Sequence, residues 1–149
     1  MKVLLPVDDS IYSQEAIKVA VDYAKLKGAE IYVLSIAPNI GGMEDHELSP
    51  AYRERTEKGL EKRAGEIVRK TCDFMAAAKV ISTCARSIVT SMSVPDAICD
   101  FAEKERIDLI IMGSHGLGPS HGIKLGSVAA QVAKTAPCSV YLVKTPTAP

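Results

Sequence analysis

Short apolar runs alternate along the chain with longer segments in which apolar residues recur at helical spacing. Runs of this length, rich in branched residues, are typical of buried strands. They predict four strands, over Lys2–Val7, Glu30–Ala37, Asp108–Met112 and Ser139–Lys144. A fifth strand is expected somewhere within Val80–Ser93, where two apolar runs compete and leave its limits open.

The segments between these runs predict four helices. Asp9 or Ser10 can cap the first helix, and Gly28 is the type of residue that ends one. The second helix, over about Tyr52–Phe74, keeps one apolar face although its first half is heavily charged. Two further helices are expected to begin near these positions: Pro95 and Ser127.

The alternation of strand and helix predicts an α/β fold, a single domain with a five-stranded parallel sheet and helices on both faces. Parallel strands need right-handed crossovers, and the common five-stranded solution reverses its winding direction once. That reversal opens a crevice beside the first strand, at the carboxyl ends of the strands. The domain is expected over residues 1–145, with a surface loop over 38–50 and a disordered tail over 146–149.

Composition and charge argue against several functional classes. The chain of 149 residues has 18 basic and 18 acidic residues, so it lacks the cationic surplus typical of proteins that bind nucleic acid or membrane surfaces. No apolar stretch approaches the roughly 20 residues that span a bilayer, and the first residues do not resemble a signal peptide. The four cysteines lack metal-binding or redox spacing. We therefore expect a cytoplasmic protein with reduced thiols that binds neither nucleic acid nor a membrane.

A glycine-rich segment runs from Gly113 to Gly126, between a predicted strand and the helix that begins near Ser127. Glycines let the backbone approach a phosphate closely, and the N–H groups at the start of a helix attract anions. The segment therefore predicts an anion site built mostly from main chain. It has neither the Walker A order nor the position of the dinucleotide fingerprint, so a surface loop without a ligand remains the alternative.

Asp8 follows Pro6 and Val7 at the carboxyl end of the first strand, which the predicted topology places opposite the glycine-rich segment. Its carboxylate can accept a hydrogen bond from a ribose hydroxyl or an adenine amino group. The alternative role is helix capping, which Asp9 and Ser10 can already fill. We expect Asp8 to contact the ligand.

The whole chain, from KVLLPVDDS to APCSVYLVK, resembles the universal stress protein family. The most specific feature is the pattern Gly-x2-Gly-x9-Gly-Ser, met by Gly113, Gly116, Gly126 and Ser127, which is typical of the ATP-binding branch. The resemblance implies phosphate contacts at Gly116, Gly126, Ser127 and Val128. Near the ribose and adenine it implies contacts at these residues: Pro6, Val7, Asp8, Ile36, Met112, Gly113 and His115.

The resemblance also implies a particular topology, ligand and assembly. The expected strand order is 3-2-1-4-5, as in the adenine nucleotide alpha hydrolase-like fold. The expected ligand is ATP, AMP or ADP, with Mg²⁺ or Mn²⁺ at the phosphates. A homodimer through the last strand, Ser139–Lys144, is expected as well. An exposed edge strand of that composition would otherwise favour uncontrolled pairing.

Two features depart from the family pattern. Leu117 stands where many relatives have a basic residue, and the nearby Pro119 and His121 leave Lys124 as the one permanent cation of the glycine-rich segment. Fewer cations would weaken triphosphate binding or shift the preference toward AMP or ADP. The second departure is Ser93-Val94-Pro95, because relatives often have glycine shortly before the proline.

The three histidines do not by themselves indicate an enzyme. His46 and His121 are expected to be solvated, and His115 has no carboxylate near it in sequence. Phosphoryl transfer needs metal ligands, a base and concentrated positive charge, which the glycine-rich segment lacks. We therefore expect a nucleotide-dependent switch or sensor in stress response, with slow ATP hydrolysis at most. The alternatives are a dimeric interaction module that binds no nucleotide, and a weak ATPase or nucleotidyl-transfer enzyme.

Overall fold

The computed structural model describes residues 1–39, 50–116 and 125–145. Within these ranges strands and helices alternate in the order expected from the sequence. The strands are β1 (Lys2–Pro6), β2 (Glu30–Pro38), β3 (Cys84–Thr90), β4 (Leu109–Gly113) and β5 (Ser139–Val143). The helices are α1 (Ile11–Lys27), α2 (Pro50–Ala77), α3 (Val94–Lys104) and α4 (Ser127–Thr135).

The five strands form one parallel sheet in the order β3-β2-β1-β4-β5, which confirms the predicted fold class and strand order. The central strand β1 pairs with β2 on one side and with β4 on the other. The winding direction reverses at this point, so the chain leaves β1 and β4 toward opposite faces of the sheet. The crevice expected from this topology lies at the carboxyl ends of these two strands.

Helices cover both faces of the sheet, and the side chains of β1 alternate between the two core layers. Val3 and Leu5 pack in the layer under α1 and α2, whereas Leu4 packs in the layer under α3 and α4. On β4, Ile111 packs in the layer under α1 and α2, and Ile110 packs in the layer under α3 and α4. All five side chains are fully buried, at 0% exposure. Burial on both faces explains why these strands are continuously apolar, as predicted.

The third strand, whose limits the sequence left open, is the edge strand β3. Its register begins with Cys84 beside Tyr32 of β2. The preceding apolar residues do not belong to this strand. Val80 is buried in the connection between α2 and β3, and Ile81 is 86% exposed. An edge strand is partly exposed and can carry polar residues such as Arg86, so apolar content alone is a poor guide to its limits.

Several predicted boundaries were wrong by one to three residues. The strand ends differ as follows: β1 ends at Pro6 rather than Val7, β2 at Pro38 rather than Ala37, and β5 at Val143 rather than Lys144. Two elements differ at both ends: β4 covers Leu109–Gly113 rather than Asp108–Met112, and α2 covers Pro50–Ala77 rather than Tyr52–Phe74. Apolar periodicity identifies the buried positions, whereas the last backbone hydrogen bond defines the end of an element.

The first helix begins and ends at residues that the sequence suggested. Ser10, rather than Asp9, is the N-cap of α1, because its side chain accepts a hydrogen bond from the N–H of Ser13. Gly28 follows the last turn in the left-handed conformation, with φ of 64°. This conformation favours glycine because it has no Cβ.

Some expectations fall outside the described ranges. These are the loop residues 40–49, including His46, and the tail over 146–149. In the described part of the chain, the helices are too short or too polar to cross a bilayer. Cys72, Cys84, Cys99 and Cys138 are free thiols.

Leu4→Ala is expected to lower the free energy of unfolding by about 2–5 kcal/mol, because Leu4 is fully buried on the central strand. Leu26→Ala is the matched control, since Leu26 is 82% exposed and its truncation should change stability by less than about 0.5 kcal/mol. Urea denaturation followed by circular dichroism measures both values. Equal losses in the two variants would contradict the assignment of Leu4 to the core.

Candidate functional site

A cleft of about 440 Å³ lies where β1 and β4 end, within the size range of small-molecule sites. Its walls come from the turn after β1, the end of β2, the start of α3 and the start of α4. All eleven predicted site residues line it: Pro6, Val7, Asp8, Ile36, Met112, Gly113, His115, Gly116, Gly126, Ser127 and Val128. The fold therefore brings these positions together from separate parts of the chain.

Further lining residues were missed by the sequence analysis: Ser13, Leu34, Pro38, Val94, Ile98 and Ala129. Leu34 and Ile98 belong to the core layer under α3 and α4, so one wall of the cleft is the open end of that apolar layer. Leu34 pairs with Pro6 across the β1–β2 ladder, a neighbour that strand pairing could have revealed. Val94 and Ile98 lie on α3. Val94 belongs to the Ser93-Val94-Pro95 departure from the family pattern, whereas no sequence signal related Ile98 to the cleft.

Asp8 is half-buried on the wall formed by the turn after β1. It is not the cap of α1, because Ser10 has that position. Instead, one carboxylate oxygen of Asp8 accepts hydrogen bonds from the Ser10 N–H and the Ser13 hydroxyl. The local geometry therefore excludes the alternative in which Asp8 is the cap of α1. The Asp8 carboxylate lies at the cleft.

The two ends of the glycine-rich segment meet at the floor of the cleft. The N–H of Gly126 donates to the carbonyl oxygen of Ser114 over 2.7 Å. A Cβ on Gly126 would lie 3.1 Å from the Cα of His115 and from the same Ser114 oxygen. Glycine at position 126 was expected only for the approach of an anion, but this close backbone contact is a second physical reason for it.

Gly113, at the end of β4, is in tight contact with α1. A Cβ at this position would lie 2.8 Å from the Cβ of Tyr12 and 2.9 Å from the carbonyl oxygen of Tyr12. The Tyr12 ring also contacts the ring of His115, with 5.0 Å between centroids. The Nδ1 atom of His115 lies 3.0 Å from the Ser114 hydroxyl oxygen. The first turn of α1 and the start of the glycine-rich segment therefore pack as one unit.

The start of α4 forms another wall of the cleft. Its N-cap is Gly126, which provides no side-chain hydrogen bond, and its first turn has no acidic residue. The first helical hydrogen bond at this end is donated by Ala130 N–H to Gly126. The N–H groups of Ser127, Val128 and Ala129 precede it and have no acceptor within the helix. Together with the positive end of the helix dipole, these groups favour an anion.

Charged side chains are scarce on the walls of this cleft. Among the described lining residues, Asp8 is the acidic side chain, and none is lysine or arginine. Leu117, Pro119, His121 and Lys124 lie outside the described residues. In the described ranges, no three His, Cys, Asp or Glu side chains form a group that could hold a metal ion. The described walls therefore offer an anion main-chain N–H groups rather than lysine or arginine side chains.

An open parallel sheet with one reversal of winding direction and helices on both faces defines the doubly wound class of α/β protein. The family model described as the universal stress protein family matches residues 1–144, so the chain belongs to that family and the resemblance is confirmed. A universal stress protein of Methanocaldococcus jannaschii is 35% identical, over 97% of this chain and 82% of that protein. One of Thermus aquaticus is 32% identical, over 95% of this chain and 97% of that protein.

Solved structures of universal stress proteins share the fold. The protein UspA from Lactobacillus plantarum superposes with a TM-score of 0.78 at 25% identity, covering 96% of this chain and 97% of that chain. A universal stress protein in complex with cAMP has a TM-score of 0.72 at 25% identity, covering 98% of both chains. The Archaeoglobus fulgidus protein in complex with dAMP has a TM-score of 0.68 at 23% identity, covering 97% of this chain and 98% of that chain.

Gly113→Ala is expected to destabilise the protein by about 1–3 kcal/mol, because the added methyl group would press against the backbone of Tyr12. Gly59→Ala is the control: Gly59 lies within α2 with nothing within 4 Å of the added atom, so the substitution should stabilise by roughly 1 kcal/mol. Thermal and urea denaturation provide the comparison. Gain of stability in both variants would contradict the close packing of α1 on β4.

Proposed function

We propose that the protein binds an adenine nucleotide in this cleft and acts as a nucleotide-dependent switch or sensor in stress response. ATP is the proposed ligand, with AMP and ADP as alternatives. The observation that carries the proposal is the uncapped start of α4, which opens into the same cleft as Asp8 and the apolar wall. The complexes of related proteins with cAMP and dAMP support the choice of an adenine nucleotide.

The proposed phosphate end is the wall formed by Gly116, Gly126, Ser127 and Val128. Ser127 is exposed at the first position of α4, so its hydroxyl adds a donor to the main-chain N–H groups. Peptide donors that are already fixed by the helix need no rearrangement to meet a phosphate. This arrangement suits phosphates in a cleft whose described walls have no lysine or arginine.

The proposed nucleoside end lies toward β1 and β2. Pro6, Val7, Ile36 and Met112 provide apolar surface for the adenine ring, and Asp8 accepts a hydrogen bond from the ribose or the adenine amino group. Gly113 and His115 complete this end of the cleft. A site with apolar walls and a few polar groups is typical of nucleotide and cofactor binding.

Slow hydrolysis at most is proposed for the bound ATP. Asp8 is the carboxylate among the described lining residues, so Mg²⁺ or Mn²⁺ would be held chiefly by phosphate oxygens and water. Such a cation would neutralise phosphate charge. Efficient phosphoryl transfer also needs a positioned base and concentrated positive charge. The described walls supply neither a lysine nor an arginine, which favours a binding role over a catalytic one.

A cytoplasmic location and a homodimer through β5 complete the proposal. The free thiols of all four cysteines are compatible with a reducing compartment. β5 is an edge strand of the sheet, and Tyr141 on it is 42% exposed. Pairing with the same strand of a second copy would cover the β5 edge of each copy.

ATP at about 100 times its Kd is expected to raise the melting temperature by roughly 5–10 °C, since this occupancy stabilises a protein by about 2.7 kcal/mol. Ser127→Glu should remove most of that rise, because its carboxylate would repel the phosphates. The variant without ATP should stay as stable as the wild type, because an acid at a helix start interacts favourably with the dipole. Differential scanning fluorimetry measures both effects.

The control for this experiment is Ser127→Gln, which has the same length without the charge and should retain more of the ATP-dependent rise than Ser127→Glu. Full ATP binding by Ser127→Glu would refute the placement of the phosphates. No thermal shift and no nucleotide in mass spectra of the purified wild type would favour the interaction module. Steady turnover of many ATP molecules per chain, abolished by Asp8→Ala, would favour the ATPase.

Tyr141→Lys is expected to convert a dimer of about 32 kDa, twice the chain mass of 15.9 kDa, into a monomer. The reason is that the substitution would bring positive charge from both copies into the proposed β5 contact. Ile81→Lys is the control, because Ile81 is exposed outside β5. Size-exclusion chromatography with light scattering measures the mass. A wild-type monomer, or a dimer unaffected by Tyr141→Lys, would exclude this interface.

A further inference from the structure

The Asp8 side chain is fixed by hydrogen bonds within the turn that joins β1 to α1. The Ser13 hydroxyl accepts a hydrogen bond from the Asp8 N–H and donates one to Asp8 Oδ1, both over 2.9 Å. The N–H of Ser10 donates to the same Oδ1 over 2.9 Å. Ser13 is only 6% exposed, so water does not compete effectively for its hydroxyl. These contacts restrict the side-chain torsions of Asp8.

The second carboxylate oxygen of Asp8 has different surroundings. Ser10 and Ser13 both engage Oδ1, whereas Oδ2 faces Gly116, where an added Cβ would lie 3.0 Å from it. Gly116 lines the cleft on the side where the glycine-rich segment begins. Oδ2 is therefore the carboxylate oxygen directed at the cleft, and the lack of a side chain at Gly116 leaves room for it.

We propose that Ser13 is a positioning residue that aims Oδ2 of Asp8 into the cleft, where Oδ2 accepts the hydrogen bond from the nucleoside. This inference rests on the proposed function and adds to it a residue that the sequence did not suggest. A carboxylate already held in its binding orientation loses little torsional freedom when the ligand arrives. Without the Ser13 hydroxyl, that ordering has to occur on binding, and affinity falls.

The same geometry gives Gly116 a second role. The resemblance related Gly116 to the phosphates, but its nearest contact for an added Cβ is Asp8 Oδ2 at 3.0 Å. A side chain at this position would press on the carboxylate that Ser13 holds from the other side. Ser13 and Gly116 together therefore define where Oδ2 lies.

A double-mutant cycle tests whether Ser13 acts through Asp8. Isothermal titration calorimetry gives the Kd of ATP for the wild type, Ser13→Ala, Asp8→Ala and the double variant. Ser13→Ala is expected to weaken ATP binding about tenfold, the size of effect of losing a hydrogen bond to a charged group. In the Asp8→Ala background the same substitution should change the Kd by less than about twofold, because its target is gone.

Ser10→Ala is the matched control, since Ser10 is equally buried at 6% exposure and lies in the same turn. It removes the side-chain cap of α1 but keeps the Ser10 N–H and therefore the bond to Asp8 Oδ1. It should lower stability as Ser13→Ala does while leaving the Kd of ATP within about twofold of wild type. Equal weakening by both variants, or additive effects of Ser13→Ala and Asp8→Ala, would overturn the positioning role.

Crystal structures of the wild type and Ser13→Ala separate this inference from the proposed function. Failure of the wild type to bind ATP, ADP or AMP would refute the proposed function alone. The role of Ser13 would then be decided by the Asp8 side chain: rotation of Oδ2 away from Gly116 in Ser13→Ala supports it, and an unchanged carboxylate overturns it.

Discussion

The reversal of winding direction at β1 is the constraint on which the rest of the structure depends. Because β1 pairs with β2 and β4, the chain leaving β1 enters α1 on one face and the chain leaving β4 approaches α4 on the other. In the described ranges of the chain, a cleft remains open between these two exits. The cleft is therefore a consequence of topology, and residues at the ends of strands and at the starts of helices line it.

Close backbone packing turns that gap into a defined site. The first turn of α1 lies against Gly113 with no room for a side chain, so Ser13 on the same turn is held near the end of β1. The hydroxyl of Ser13 in turn holds Asp8. Packing between α1 and β4 is thus connected to the orientation of one carboxylate through only a few contacts. The residues that pack α1 on β4 therefore affect both the stability of the protein and the orientation of Asp8.

The sequence was sufficient for the parts of the fold that burial on two faces determines. Leu4 and Ile110 lie in short apolar runs that are typical of a parallel strand covered on both faces, and the family resemblance implied the order of these strands. The edge strand β3 was poorly bounded because exposure weakens the apolar signal. The site residues were placed by topology and family resemblance. Ser13 was missed because its role depends on its hydrogen bonds to Asp8, and no sequence pattern reveals such bonds.

The uncapped start of α4 has a consequence for how the site can be lost. Its donors at Ser127, Val128 and Ala129 are peptide groups, which every residue except proline carries in the same place. Exchange of one side chain for another therefore leaves these donors intact. An added bulky group can obstruct these donors, an added negative charge can repel the anion, and unfolding of the helix removes them. Substitutions that abolish anion binding at this end should therefore introduce bulk or negative charge rather than delete a side chain.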